Sequence, residues 1–485
     1  MNIYNYRFPS LQKTNNLNIS FGHKIAMDFG ASDPRGTAKI TSQLENNDVL
    51  NLNKDEKLYI INQKNGFESA NHLISGVTEL AINTAKEALE NIKRANNNTK
   101  LAPNEEELTS VDMFFPGPVI GEEDPDTHII TNKIALIANY RDKDGESLEN
   151  ININDIEKAL REKAEIAGIP LSQNFKLRVF KDLAGTGMAI SEKLSNHPKY
   201  GEDIKQGRFH GAAIITGGGL GMVRIDCDEP NRIMQETSEA GHDMSMDTFK
   251  VNEERVGKVG ATVSTVIKNF AEELAVLNKA GQRSNIRKSD IEALIKTGNA
   301  TIATKKEIKL NLPNDEEAKE VLMKTGIYEE IKPDVLKVKN TPEADSRFKN
   351  ARKRAVIQYA DALAKVTIPL INRGVSVLVL TGPLAKGVRD IVAQNASDFT
   401  SQNPLSNLNI KSLSDLIKDR INYLTSHDNT IQKLLKCNGL NIECGGEFQI
   451  ADNTTGAKVI RNPRTIISGN GMHPDRIIYT TDVFK

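Results

Sequence analysis

Two carboxylates and an imidazole fall within seven residues at Glu236, Glu239 and His242, in the segment ETSEAGHDM. Each hydroxyl of a polyhydroxylated ligand is both donor and acceptor, so reading one calls for ionised carboxylates beside a ring nitrogen. Taken alone, the segment reads equally as a solvated acidic loop. Just before it lies IITGGGLG, in which Thr216, Gly217, Gly218 and Gly219 form a candidate anion cradle, because backbone without side chains can approach a phosphate closely. Two more loops of this kind follow apolar runs: DFGAS, with Asp28, Gly30 and Ser32, and TGPLAKG, with Gly382 and Gly387. Each alone is as readily a tight turn. Three of them, each after a strand and spread over both halves, point to bound phosphate. Neither a Walker lysine pattern nor GxGxxG is present, so binding would draw on loops from two lobes rather than one P-loop.

Asp182 closes the strand pattern FKLRVFKD and precedes the small-residue helix pattern LAGTGMAISEKL. A strand end of that kind is the usual address for ligand contact in α/β proteins. It is also where an aspartate caps a helix, and the residues leave both readings open. In FFPGPV, Gly117 is either part of a rigid turn or a point where backbone meets a ligand. Moving a phosphoryl group to an alcohol needs a carboxylate to take the proton and donors plus Mg²⁺ to spread charge, the metal being held largely by phosphate oxygens and water.

The elements that must position these groups alternate along the chain. HKIAMDFG and TAKITSQL read as strands around a turn, and ESANHLISGVTELAINTAKEALENIKRA as a helix with Leu73, Val77, Ala81, Ala85, Ala88 and Ile92 in a stripe. LTSVDMFF is a strand ahead of the Pro-Gly-Pro loop. Residues 153–168 form a helix with Asn154 as cap and Ile156, Leu160 and Ile166 on its apolar side. The logic repeats in the second half: FHGAAIITGGG and GMVRIDCD as strands, a long helix with Val356, Tyr359, Leu363 and Val366 in a stripe, then the buried-type strand VSVLVLTG. A charged, helix-prone insertion occupies about residues 275–345. Strands alternating with helices imply an α/β architecture in two lobes.

The chain has 485 residues, enough for two or three domains at roughly 150 each. With 38% hydrophobic and 26% charged residues and a net charge of −1, neither disorder nor a polyanion-binding surface is expected, which argues against nucleic acid as a partner. Cys227, Cys437 and Cys444 form no CxxC pair and no disulfide framework, fitting a reducing cytoplasm. The first 22 residues read as a loose polar arm without a signal or transit pattern, and no run of 18 apolar residues occurs, so no membrane association is expected.

The ordered set of Asp-x-Gly loop, FFPGPV, strand ending at Asp182, ITGGGLG, Glu-Ala-Gly-His and VLVLTGPLAKG resembles the ROK family (repressor, open reading frame, kinase) of sugar kinases, within the actin-like, hexokinase-type ATPase superfamily. The resemblance runs from about residue 24 to the C-terminus, outside the 275–345 insertion. It implies a two-lobed, ribonuclease H-like α/β fold, with lobes at 23–180 and 181–485 and a nucleotide and sugar cleft between them. It further implies glucokinase-like phosphorylation of a hexose or N-acetylhexosamine, with ATP and Mg²⁺ as cofactors. Asp182 would be the general base, Glu239 and His242 would bind sugar hydroxyls, and Asp28 would lie near the phosphates and metal. Glu254 would be a further sugar contact, Glu253 fitting nearly as well. The chain departs from the family at KDLAG, where Asn-Asp-Ala-Asn is usual, at DFGAS for Asp-x-Gly-Gly-Thr, and in DMSMDTFKVNEE, which lacks the zinc cysteines. A non-catalytic sugar- or nucleotide-binding protein on the same scaffold is the alternative. Dimers are common in the family, and oligomeric state stays open.

Overall fold

Strands β1 (His23–Asp28), β2 (Arg35–Ile40) and β3 (Val49–Lys54) form an antiparallel meander. The chain then crosses through helix α1 (Ala70–Ala95) to β4 (Leu108–Phe115), which pairs parallel to β1. A separate antiparallel sheet follows, made of β5 (Val119–Glu123), β6 (Ile130–Arg141) and β7 (Ser147–Asn152). Helix α2 (Ile153–Ile166) returns to β8 (Leu171–Lys181), parallel to β4, and α3 (Asp182–Ser195) and α4 (Gly201–Lys205) follow. The sheet order is β3-β2-β1-β4-β8. The computed structural model describes residues 23–29, 35–40, 49–54, 67–95, 106–117, 119–123, 130–144, 146–198, 200–230, 232–238, 250–251, 254–255, 260–275, 286–372, 375, 377–399, 409–424 and 441–444.

The pattern then repeats. Strands β9 (Phe209–Thr216), β10 (Leu220–Glu229) and β11 (Arg232–Ser238) are joined by turns too short for anything but antiparallel pairing. The two-residue strands β12 (Lys250–Val251) and β13 (Glu254–Arg255) and helix α5 (Val263–Ala275) come next. Within the region expected as a helical insertion lie α6 (Lys288–Lys296), α7 (Thr301–Thr304), β14 (Glu307–Lys309), α8 (Glu316–Lys324), β15 (Tyr328–Lys332) and β16 (Val335–Val338). Its strands form a three-stranded sheet, β14-β16-β15, that the charge-rich sequence did not reveal. Helix α9 (Pro342–Asn372), β17 (Val377–Thr381), α10 (Pro383–Gln394), α11 (Leu413–Leu424) and β18 (Asn441–Cys444) complete the described chain. The order β11-β10-β9-β17-β18, with β17 parallel to β9 and β18, repeats that of the first sheet, third-second-first-fourth-fifth. This doubled ribonuclease H-like order agrees with the expected α/β class.

Contacts divide the chain into two compact units, one of residues up to 209 with 223–237, the other of 210–222 with 238–447. In this division helices α3 and α4 lie in the first unit, where α3 packs on β4 and β8.

In the first unit the alternation of β4 sends Val111, Met113 and Phe115 into a core with Ile25 and Met27 of β1, the α1 stripe and Ile156, Leu160 and Ala164 of α2. The α1 residues Leu73, Val77, Ala81, Ala85 and Ala88 are all buried, as their spacing predicts; the Ile92 side chain lies outside the described residues. Two details of α2 differ from expectation. Its cap is Asn152, whose Oδ1 accepts from the Asn154 N–H at 2.9 Å, because β7 runs directly into the helix. Ile166 is 86% exposed, since ten residues beyond Ile156 the helix has turned away from the core; Ala164, at eight, takes that place. In the second unit the whole α9 stripe, Val356, Tyr359, Leu363 and Val366, is buried with α5, α10, α11 and the inner faces of β9 and β17.

Candidate functional site

Parallel strands deliver their carboxyl ends to one edge of a sheet, and in α/β proteins that edge is where ligands bind. In the first unit β1, β4 and β8 do so in register: Asp28 pairs with Phe114, Phe114 with Phe180 and Phe115 with Lys181. Asp28 therefore ends β1, Pro116 and Gly117 follow β4, and Asp182 follows β8 on the same edge. Asp28 and Asp182 flank β4, two strand spacings or roughly 10 Å apart across the sheet. Gly117 is buried. Asp182 is half-buried, and its Oδ1 accepts the Leu183 N–H at 2.8 Å while its carbonyl accepts from Thr186 Oγ1 at 3.5 Å. Its carboxylate thus sits at the first turn of α3, where backbone N–H groups stabilise negative charge. This geometry places the carboxylate at the start of the helix and at the ligand edge.

In the second unit Thr381, the last residue of β17, pairs with Ile215, so Gly382 meets Thr216 at the mouth of the triple-glycine turn. Gly217 donates to the Gly219 carbonyl at 3.0 Å, and the Val263 N–H at the start of α5 donates to the Gly217 carbonyl at 2.9 Å. The N-terminus of α5 thus abuts the turn, and α10 starts directly after Gly382, with Pro383 at its first position. Two helix N-termini beside a glycine turn are suited to an anion. The glycines of this turn supply bare backbone rather than special dihedrals. None of Gly217, Gly218 and Gly219 has positive φ, so unusual dihedrals are not what they supply. A Cβ on any of them would meet nothing within 4 Å, so they supply open space beside the backbone. Gly218 and Gly219 are exposed, so that space is open to solvent.

Gly382 is a conformational glycine, with φ +99° and a notional Cβ 2.3 Å from the Thr216 carbonyl oxygen. Gly387, within α10, has neither constraint: a Cβ there would meet nothing within 4 Å. Gly382→Ala is therefore expected to destabilise by about 1–3 kcal/mol from the backbone alone, and more through the Thr216 clash. Gly387→Ala is expected to stabilise by up to about 1 kcal/mol. Urea unfolding midpoints of the two variants check both signs.

Several expected site residues lie outside the description. Gly30, Ser32, Glu239, His242 and Glu253 are outside the described residues, while Asp28 and Glu254 are placed by backbone alone, Glu254 in β13 opposite Val251. The structure therefore groups Asp28, Gly117 and Asp182 on one edge and Thr216 to Gly219 with Gly382 on another. No group of three His, Cys, Asp or Glu side chains that could hold a metal occurs among the described residues.

The chain is similar in structure to hexokinases and glucokinases. Hexokinase from Schistosoma mansoni, complexed with glucose, aligns at 14% identity and TM-score 0.43 over 86% of this chain and 82% of that one. Glucokinase from Balamuthia mandrillaris, in complex with glucose, aligns at 11% and 0.43 over 88% and 90%. A ROK family glucokinase from Streptomyces griseus, with glucose and AMPPNP, aligns at 9% and 0.36 over 83% and 99%. Likenesses this distant carry no residue roles across. No family model and no curated protein matches the chain.

Two side chains near these edges were not anticipated as functional. Tyr359 read only as a member of an apolar stripe, and Tyr140 was not singled out. The available signal was the hydroxyl itself, because a tyrosine in a core stripe must find a partner for its oxygen.

Proposed function

We propose that the protein is a ROK-like sugar kinase, transferring the γ-phosphoryl group of ATP to a hydroxyl of a hexose or N-acetylhexosamine. The observation that carries this reading is the edge where β1, β4 and β8 end together, with Asp182 at the close of the last strand. A sugar hydroxyl beside that carboxylate attacks the γ-phosphorus: the new O–P bond forms, the bond to ADP breaks, and the hydroxyl proton passes to Asp182. Gly117, with no side chain, lets the sugar approach the end of β4. Glu239, His242 and Glu254 read the remaining hydroxyls, and Asp28, Gly30 and Ser32 lie towards the phosphates and Mg²⁺, as the sequence resemblance implies. The turn from Thr216 to Gly219, the α5 N-terminus, and Gly382 and Gly387 around the start of α10 provide a backbone setting for the nucleotide. Bound Mg²⁺ supplies charge neutralisation at the phosphates.

A cytoplasmic location belongs to the same reading; no described helix is long and apolar enough to cross a membrane. The test is ADP release from MgATP with glucose, mannose, fructose, N-acetylglucosamine and N-acetylmannosamine against a no-sugar blank. At least one sugar is expected to raise release tenfold or more. Saturable sugar or nucleotide binding without ADP release would favour the non-catalytic alternative, which KDLAG at the base position motivates.

A further inference from the structure

Two buried tyrosine hydroxyls sit where the first strand of each sheet ends. In the first unit Tyr140 of β6, 0% exposed, donates to the Phe29 carbonyl at 3.0 Å. Phe29 directly follows Asp28, its N–H donates to the Phe114 carbonyl at 2.9 Å, and its ring stacks on Phe115 at 4.7 Å between centroids. In the second unit Tyr359 of α9, also 0% exposed, shares a 2.8 Å hydrogen bond with Thr216 Oγ1, on the residue before Gly217. Phenylalanine offers the same ring, so the hydroxyl is what requires an explanation. Burying a phenol oxygen costs free energy unless it is bonded. In each unit the bond goes to a residue beside a candidate phosphate loop, at equivalent places in the doubled topology.

We propose that Tyr140 and Tyr359 are positioning residues, which fix the chain at Phe29, where β1 ends, and at Thr216, where β9 enters the triple-glycine turn, so that these strand ends meet nucleotide phosphates in a preset geometry. The inference rests on the nucleotide reading above. Each tyrosine acts through its loop: Tyr140 through a backbone carbonyl, Tyr359 through the threonine side chain. Tyr328 supplies a matched control. It too is 0% exposed and donates to a carbonyl, that of Ile302 at 3.3 Å, but it belongs to the three-stranded sheet of the insertion.

The experiment compares Tyr140→Phe, Tyr359→Phe and Tyr328→Phe in the full chain, measuring thermal midpoint, the MgATP dissociation constant by calorimetry, and the KM values for ATP and sugar. Tyr140→Phe and Tyr359→Phe are expected to weaken MgATP binding and raise the ATP KM about three- to tenfold, the worth of one well-placed hydrogen bond. The sugar KM stays within twofold. Tyr328→Phe, at a similar loss of midpoint, leaves all three constants within twofold. Thr216→Val removes the partner of Tyr359 without changing side-chain shape and is expected to reproduce its shift, so the inference does not hang on one variant. Coincidence of the first two variants with Tyr328→Phe, in a parent that binds MgATP, overturns the positioning role alone. A parent that binds no MgATP overturns the kinase reading and this inference together.

Discussion

Asp182→Ala is expected to lower sugar-dependent ADP release about 10²–10⁴-fold, the usual worth of a general base, while sugar binding persists. The structure makes a second variant necessary, because Asp182 Oδ1 also accepts the Leu183 N–H at the start of α3. Asparagine keeps that acceptor and caps helices about as well as aspartate, but its neutral amide takes no proton. Asp182→Asn should therefore retain the parent's thermal midpoint and lose the same turnover as alanine. If capping were its whole role, asparagine would restore activity. Turnover of both variants within a few-fold of the parent would remove Asp182 from the chemistry.

The largest expected effect on stability lies four residues before Asp182, two repeats of the pleat back along β8. Arg178 on β8 is paired through Nε and Nη2 with both carboxylate oxygens of Asp112 on β4, the Nη2 bond at 2.8 Å, and the aspartate side chain is only 1% exposed. The two residues are direct partners across the parallel ladder. Replacing Arg178 with methionine takes the bidentate cation from a buried carboxylate and should cost about 3–5 kcal/mol in urea unfolding. The double replacement Asp112→Leu with Arg178→Met should recover most of it, because two apolar groups leave no orphaned charge. A double variant as unstable as the single one would show that the loss comes from packing. The pair also bears on the site. A slip of one residue between β4 and β8 would turn every side chain on them to the wrong face and shift Asp182 relative to Gly117.

The stripes of α1 and α9 were legible because apolar residues recur every three or four positions, over about five turns in α1 and about three in α9. The ends of β1, β4, β8, β9 and β17 were legible because glycine, proline or aspartate stops an apolar run at each. The sheet β5-β6-β7 and the strands of the insertion were not, because charge is interleaved with apolar residues there: EEIK within β15 is exposed along its length, and only the partner strand gives it a place. Ile166 misled because an isoleucine near the end of an apolar pattern counts by type, whereas burial depends on its angle around the axis. For the site, sequence order found Asp28, Gly117 and Asp182, which the ladder then aligned. It marked the triple glycine as bare backbone, and a Cβ on any of the three would indeed meet nothing within 4 Å. The partnership of Tyr359 with Thr216 spans 143 positions, a distance over which no local pattern can pair two hydroxyls.

Helix α9 runs 31 residues, about 46 Å at 1.5 Å each, with no glycine and no proline between Pro342 and Pro369. Near its start Arg347 donates to the Thr325 carbonyl at 3.0 Å, tying it to the insertion; at its middle Tyr359 meets Thr216. Such a rod has no joint at which strain could dissipate. One unbroken helix therefore carries both the bond to the insertion and the bond at the mouth of the triple-glycine turn, so the two places share a single rigid support.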